Sequence, residues 1–318
     1  MIESESIKPI STIVLAGGRK NIRWHDITTF FTDMYRYHEH YLPSKRYKTL
    51  RLMPGTINGE FGQFPIILYL LHTLTKAPSV GNIIVIGPKV ELEESLKQAN
   101  FPTTRFKVIQ QGDSFGENMM LAYNESSAKG HVLAVMGDSP LTTPRSIENF
   151  VNLSNNYLEY DYILPVVKAA ILDKYARFMP RPYLRLLPDG LEPASYCQPD
   201  DMDKRGRIGV RLTSLAMCNL EGMTADKINH LRSLRKVLRP AVQKMIRQDL
   251  GSSVLIQYRR GIPFSWVCKK FEQLYGKSII TVGLPDAGTA IDVDSSTDIR
   301  AVSRIFSYRR KKQLADSP

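Results

Sequence analysis

VLAVMGDSPL, residues 132–141, runs five apolar residues into Gly137 and then sets Asp138 ahead of Pro140. Proline cannot continue a β-ladder, so the chain turns out at Pro140 and Asp138 is held at the carboxyl end of a strand. Thr142, Thr143 and Pro144 then open a helix, RSIENFVNLSNNYL, with Thr143 as N-cap and Pro144 in its first turn. A carboxylate at a strand-to-helix turn is therefore the first candidate site residue.

The same rhythm extends outward on the amino-terminal side. STIVLA (11–16) ends at Gly17-Gly18, and NIIVIG (82–87), TRFKVIQQG (from 104) and HVLAVMGD (from 131) are further short β-rich runs. Between them, 64–77, 90–100 and 114–126 carry helical patterns. Strands alternating with helices of this length imply βαβ units, hence a mostly parallel sheet with helices on both faces. In such sheets ligands bind beyond the carboxyl ends of the strands, where Asp138 sits.

Past residue 160 the rhythm changes. YDYILPVVKAAI (160–171) reads as a strand, and a proline- and charge-rich stretch follows to about residue 206. RIGVRLTSLAMCNLEGM (207–223) reads as a strand returning to the sheet, and 224–276 is largely helical and basic.

Composition narrows the function classes. With 43% hydrophobic and 23% charged residues in 318, the chain is an ordinary globular protein able to bury a large core. It has no run of about eighteen apolar residues, and MIESESIKPI has no apolar leader segment, so the expected address is cytoplasmic. Cys197, Cys218 and Cys268 are odd in number and widely spaced, which excludes a disulfide framework or a CxxC metal site. His38 and His40, two apart, face different sides of a helix and make no metal pair. A net charge of +12 favours anionic partners. Nucleic acid is disfavoured among them, because no sheet face alternates basic and aromatic residues. Arg309-Arg310-Lys311-Lys312 reads as a solvated basic tail.

Four motifs in order, IVLAGG (13–18), GQFPIILYLLHTL (62–74), VMGDSPL (135–141) and AIDVDSSTDIRAV (290–302), resemble nucleotidyltransferases of the molybdenum-cofactor guanylyltransferase and sugar-phosphate nucleotidylyltransferase type. The resemblance implies a Rossmann-like three-layer α/β/α fold of GT-A type with a mixed, mostly parallel sheet and a helical insertion. It covers 11–165 and resumes at 279–306, giving a nucleotide-binding half (1–165, insertion about 24–58), an acceptor-side region (166–278), a return to the core (279–306) and the tail (307–318).

The resemblance assigns roles residue by residue. Leu15, Ala16, Gly17 and Gly18 match the turn that carries the triphosphate, where glycines let backbone N–H groups approach phosphate oxygens. Asp138 and Asp294 match the two residues that hold Mg²⁺ on the triphosphate; hard oxygen ligands supplied sparsely suit that ion. Asp292 lies two residues along an extended segment and assists, while Asp298 reads as a helix-cap residue. Gln111 and Gly116 match the loop that meets the nucleobase. Arg19, Lys20 and Arg23 stand where phosphate charge needs neutralising.

Two departures accompany these matches. The later glycine of the loop is replaced by basic residues, and the lysine expected before GQFP is absent, the local letters being Pro54-Gly55-Thr56. The insertion at 24–58 offers Lys45, Lys48 or Arg51 in its place if it folds as a lid; otherwise it docks a partner and catalysis is lost. Lys168, Arg177, Arg181 and Arg185 are the candidate contacts for an acceptor phosphate.

The implied activity is transfer of a nucleoside monophosphate from a nucleoside triphosphate to a phosphorylated small-molecule acceptor, with Mg²⁺ as cofactor and release of pyrophosphate; a homodimer is compatible with it. Two alternatives stay open. One is a glycosyltransferase of the same fold reading Asp292-Val293-Asp294 as a metal motif, and the other a catalytically silent nucleotide-binding relative.

Overall fold

The computed structural model describes residues 9–17, 47–181, 183–188, 202–234 and 262–315. Strands β1 (Ile10–Leu15), β4 (Val80–Gly87), β5 (Phe106–Gln110) and β6 (His131–Met136) lie side by side in the order β5-β4-β1-β6, all parallel. Their residues alternate between two cores. Val14, Val85 and Val135 face one layer of helices, while Ile13, Ile84 and Ala134 face the other. Burial on both faces is what makes the inner strands β1, β4 and β6 read as nearly continuous apolar runs, whereas the edge strand β5 leaves Lys107 and Gln110 exposed.

The first layer comprises α1 (Ile66–Thr75), α2 (Lys89–Gln98), α4 (Pro144–Ser154), α5 (Ala169–Ala176) and α8 (Ser296–Ala315). The second comprises α3 (Phe115–Glu125), α6 (Ala225–Leu234) and α7 (Phe264–Tyr275). Eight of the ten residues of α1 are buried, and the helix stops three residues before Pro78.

Helix α4 buries Ile147, Phe150 and Val151 as a single apolar stripe, with Ser146 and Ser154 buried beside them. Thr143 caps it by accepting the Ser146 N–H at 3.1 Å. Replacing Thr143 by Ala is expected to cost about 1 kcal/mol, read as a lowered urea midpoint with an unchanged slope.

Beyond β6 the sheet continues through β10 (Leu215–Asn219), antiparallel to both of its neighbours, to β7 (Tyr162–Lys168), and β12 (Ile279–Gly283) runs parallel to β7. β9 (Ile208–Leu212) pairs with the far end of β7 and with β8 (Leu184–Leu187), and β11 (Ile262–Pro263) closes that edge. The three-layer α/β/α architecture with a mixed, mostly parallel sheet is thus present as expected. Strand order reverses between β1 and β6, which places the carboxyl ends of those two strands at the crevice where such sheets bind ligands.

Three stretches differ from the sequence expectation. β7 stops at Lys168, because Ala169-Ala170 favours the helix α5 over a longer strand. The returning strand 207–223 is two strands, broken where the Ser214 N–H turns to Thr289 O (2.7 Å) while Ser214 O accepts from Met136 (2.9 Å). The described part of the insertion is a short 3-10 turn, Lys48–Leu50, followed by a hairpin of β2 (Leu52–Ile57) and β3 (Glu60–Pro65). Asn58 and Gly59, at φ 52° and 84°, supply the left-handed pair that a two-residue hairpin turn requires. Gly55 is obligatory for a different reason: a Cβ there would lie 2.6 Å from the Tyr69 hydroxyl, which donates to Met53 O at 2.7 Å.

Candidate active site

β1 delivers the Leu15-Ala16-Gly17 turn to the crevice. The Ala16 N–H donates to Ile86 O at 2.8 Å, and the Gly137 N–H donates to Leu15 O at 3.0 Å, so the turns after β1, β4 and β6 are tied to one another. The 3-10 turn hangs from the same place, with Thr49 Oγ1 donating to Ala16 O at 2.7 Å and Leu50 buried below. This anchoring aims Lys48 over the carboxyl end of β6.

Asp138 and Asp294 converge there. The Val293 N–H donates to Asp138 O at 2.9 Å, zipping the turn after β6 to the segment that follows β12. A second clasp reinforces the first, because Ser146 Oγ donates to Asp286, and a Cβ on Gly288 would stand 2.4 Å from Leu141 O. Lys48 Nζ donates to Asp138 Oδ2 and to Asp294 Oδ1, so one ammonium bridges the two carboxylates.

The electrostatics follow from exposure. The Asp138 side chain is 19% exposed against 59% for Asp294. Burial pushes the Asp138 carboxyl up, and Asp292 and Asp294 add to that rise; Lys48 opposes it without winning. For Lys48 the balance reverses, since burial lowers it but the two carboxylates together hold it above its ordinary value. Among the described residues Asp138 Oδ1 is buried and has no hydrogen-bond partner. A buried acceptor left open next to a second carboxylate is a fitting seat for a hydrated hard cation. Among the described residues no group of three or more His, Cys, Asp or Glu forms a metal cage by itself. Two carboxylates complemented by phosphate and water match the sparse set that Mg²⁺ accepts.

Asp292 is held differently. Its carboxylate takes Arg211 Nη2 at 3.0 Å, Arg181 lies at 3.8 Å, and Arg211 Nε also donates to Ala290 O at 2.8 Å. Burial alone would raise the Asp292 carboxyl, but Arg181, Arg211 and then Lys48 bring it below the usual range. Arg181 further donates to Asp292 O and approaches Asp298 at 3.4 Å. Asp298 in turn accepts the Asp294 and Ser295 N–H groups, each at 2.9 Å, while its own N–H donates to Ser295 Oγ. That reciprocal capping box starts α8 and fixes the backbone of Asp294.

No protein-family model matches the sequence, and no curated protein matches it. Solved structures do match, over nearly the whole chain. A hypothetical transferase from Thermus thermophilus superposes with a TM-score of 0.59 at 18% identity, covering 92% of this chain and 99% of its own. CMP:2-keto-3-deoxy-manno-octonic acid synthetase complexed with CTP superposes with a TM-score of 0.51 at 13% identity, covering 95% and 99%. The chain has a nucleotidyltransferase-like fold.

Within this nucleotidyltransferase-like fold, Asp138, Asp294 and Leu15, Ala16 and Gly17 lie together, and Gln111 joins them. A Cβ on Gly17 would come 2.2 Å from Gln111 Oε1 and 3.3 Å from Asn118 Nδ2, so the glycine is what lets the Gln111 amide lie across the turn. The Gln111 end is flexible, and Gly17→Ala is therefore expected to fold with little loss of stability while displacing Gln111. Should this turn carry a nucleotide, titration will show weaker binding in a protein of near wild-type melting temperature.

Gly116 sits against α6 rather than at the turn. Its N–H donates to Asn229 Oδ1 at 2.8 Å, and a Cβ would stand 1.9 Å from Ala225 O. Gly18, Arg19, Lys20, Arg23 and Lys45 lie outside the described residues. Of the candidate acceptor contacts, Arg181 reaches the Asp292–Asp298 segment. Arg177 stacks on Phe178 and Tyr308 at 4.6 and 4.7 Å, and Arg185 lies 5.7 Å from the Tyr183 ring.

The structure adds Thr49 and Arg211 to the residues that build the site. Thr49 had a readable neighbour in Lys48, but Arg211 reaches Asp292 across 81 residues and carries no local sign.

Proposed function

We propose that the protein is an Mg²⁺-dependent nucleotidyltransferase that passes a nucleoside monophosphate from a nucleoside triphosphate to a phosphorylated small-molecule acceptor. The observation carrying this reading is the convergence of Asp138 and Asp294 on one cation position beside the Leu15–Gly17 turn. An oxygen of the acceptor phosphate attacks the α-phosphorus, the bond from that phosphorus to the bridging oxygen breaks, and pyrophosphate leaves with the electron pair.

The chain's own residues orient and neutralise rather than form covalent bonds. Backbone N–H groups of the glycine turn meet phosphate oxygens, and Lys48 supplies the phosphate-neutralising charge that the letters before GQFP lack. Arg19, Lys20 and Arg23, which follow that turn in the sequence, are further candidates to neutralise phosphate charge. Asp138 and Asp294 are the ligands for Mg²⁺, which when bound offsets charge on the phosphates. The Asp292 pairing with Arg211 and Arg181 speaks against a paired-aspartate motif of the glycosyltransferase kind, because that carboxylate already has its counter-charges.

The test is direct. The purified protein is incubated with Mg²⁺, each of the four triphosphates and a panel of sugar phosphates, and pyrophosphate is measured. Acceptor-dependent release supports transfer. Hydrolysis of a nucleotide sugar instead, or thermal stabilisation by triphosphate without turnover, overturns it in favour of one of the alternatives.

A further inference from the structure

Lys48 occupies the place a bridging cation needs. Its Nζ contacts Asp138 Oδ2 and Asp294 Oδ1 at once, and a divalent ion bound to both oxygens at about 2.1 Å would fill the same volume. Two positive centres that close repel strongly in a partly buried site. The backbone of the turn is fixed by Thr49 and Leu50, so the mobile part of Lys48 is its four-carbon stem. Asp294, the more exposed carboxylate, marks the direction in which the head group can swing out.

We propose that Lys48 is a displaceable internal counter-ion, excluding the divalent cation from Asp138 and Asp294 until triphosphate oxygens draw the ammonium away. Without some cation between them, Asp138 and Asp294 would repel each other across the crevice. The ammonium meets that need, but among the described residues it leaves Asp138 Oδ1 without a hydrogen-bond partner. Metal and triphosphate therefore arrive together, and metal alone binds poorly. The triphosphate half of this proposal rests on the nucleotidyl-transfer reading; the exclusion of metal by Lys48 rests on geometry alone.

The experiment separates the two halves. Mn²⁺ is titrated by calorimetry and by loss of its free paramagnetic signal into full-length wild type, Lys48→Met, Lys48→Gln and Lys48→Arg, first without nucleotide. The two neutral variants should bind Mn²⁺ about tenfold or more tightly than wild type, within the usual range of site-to-site coupling, and the arginine variant should not gain. Adding Asp294→Asn to Lys48→Met should abolish the gain. In chelator the neutral variants should melt below wild type and regain more on adding Mn²⁺.

With a non-hydrolysable triphosphate present, the gap in Mn²⁺ affinity between wild type and the neutral variants should close. Neutral variants that bind Mn²⁺ no better than wild type overturn the exclusion, and Lys48→Gln serves if Lys48→Met fails to fold. A gap that persists with triphosphate overturns the second half. Absence of turnover with every acceptor tried counts against the proposed function and leaves the nucleotide-free titration intact.

Discussion

Asp138→Asn is expected to lower acceptor-dependent pyrophosphate release by about two to three orders of magnitude while leaving a protein at least as heat-stable as wild type at neutral pH. The two halves of this result have separate causes. Activity falls because an amide offers the cation one neutral oxygen in place of a carboxylate. Stability holds because the Asp138 carboxyl is pushed up by burial, with Lys48 only partly offsetting the effect.

A carboxyl raised in the folded state binds its proton more tightly there than in the unfolded chain. Its stabilising contribution is present at pH below the unfolded value and is lost as pH rises through the folded one. Wherever Asp138 is ionised in the folded protein it is therefore a cost, and a neutral isostere removes it. Scanning calorimetry of both proteins alongside the pyrophosphate assay checks the pair. An inactive variant that melts well below wild type would mean that Asp138 holds the fold instead of the chemistry.

Gly116→Ala should have the opposite profile. The added methyl would meet Ala225 O at 1.9 Å, its carbonyl carbon at 2.7 Å and its Cα at 2.9 Å, all backbone atoms of a neighbouring helix. Main chain cannot swing aside as the Gln111 amide can, so α3 and α6 must part. The expected loss is about 3 kcal/mol, the upper part of the range for overpacking. Urea denaturation measures it directly. Choice among the four triphosphates, measured on the fraction that remains folded, should not change, which distinguishes a helix-packing glycine from a base-reading one.

Much of the parallel half was legible because its physics is local. Ile83 to Ile86 and Val132 to Val135 are apolar on both faces, the intervening helices have single stripes or caps, and Pro140 and Pro144 punctuate the turn that presents Asp138. Asp294 was legible as one carboxylate in a motif, but its setting was not. Asp298 was read as the helix cap it is, but the setting also depends on Arg181 and Arg211, whose distances to this segment are properties of the assembled sheet.

The hairpin at the end of the insertion was missed even though Asn58-Gly59 announces a two-residue turn, because Pro54 and Gly55 break the alternation that marks a strand. Lys48 was one of three basic candidates in a segment without a matching motif. Only the anchoring of Thr49 on Ala16 O selects it.

The bridge from Lys48 spans 90 residues to Asp138 and 246 to Asp294. Contacts so remote in the chain form late, since long loops must close before they are rewarded. The parallel half can collapse around its two cores with no charge trap in existence, and the trap appears only when β12 slots in beside β7. Whatever binds there will thus favour the finished topology over every partly folded rival, by simple mass action. Ligand added during refolding should raise the yield of correctly assembled chains more than it raises the speed of their first collapse.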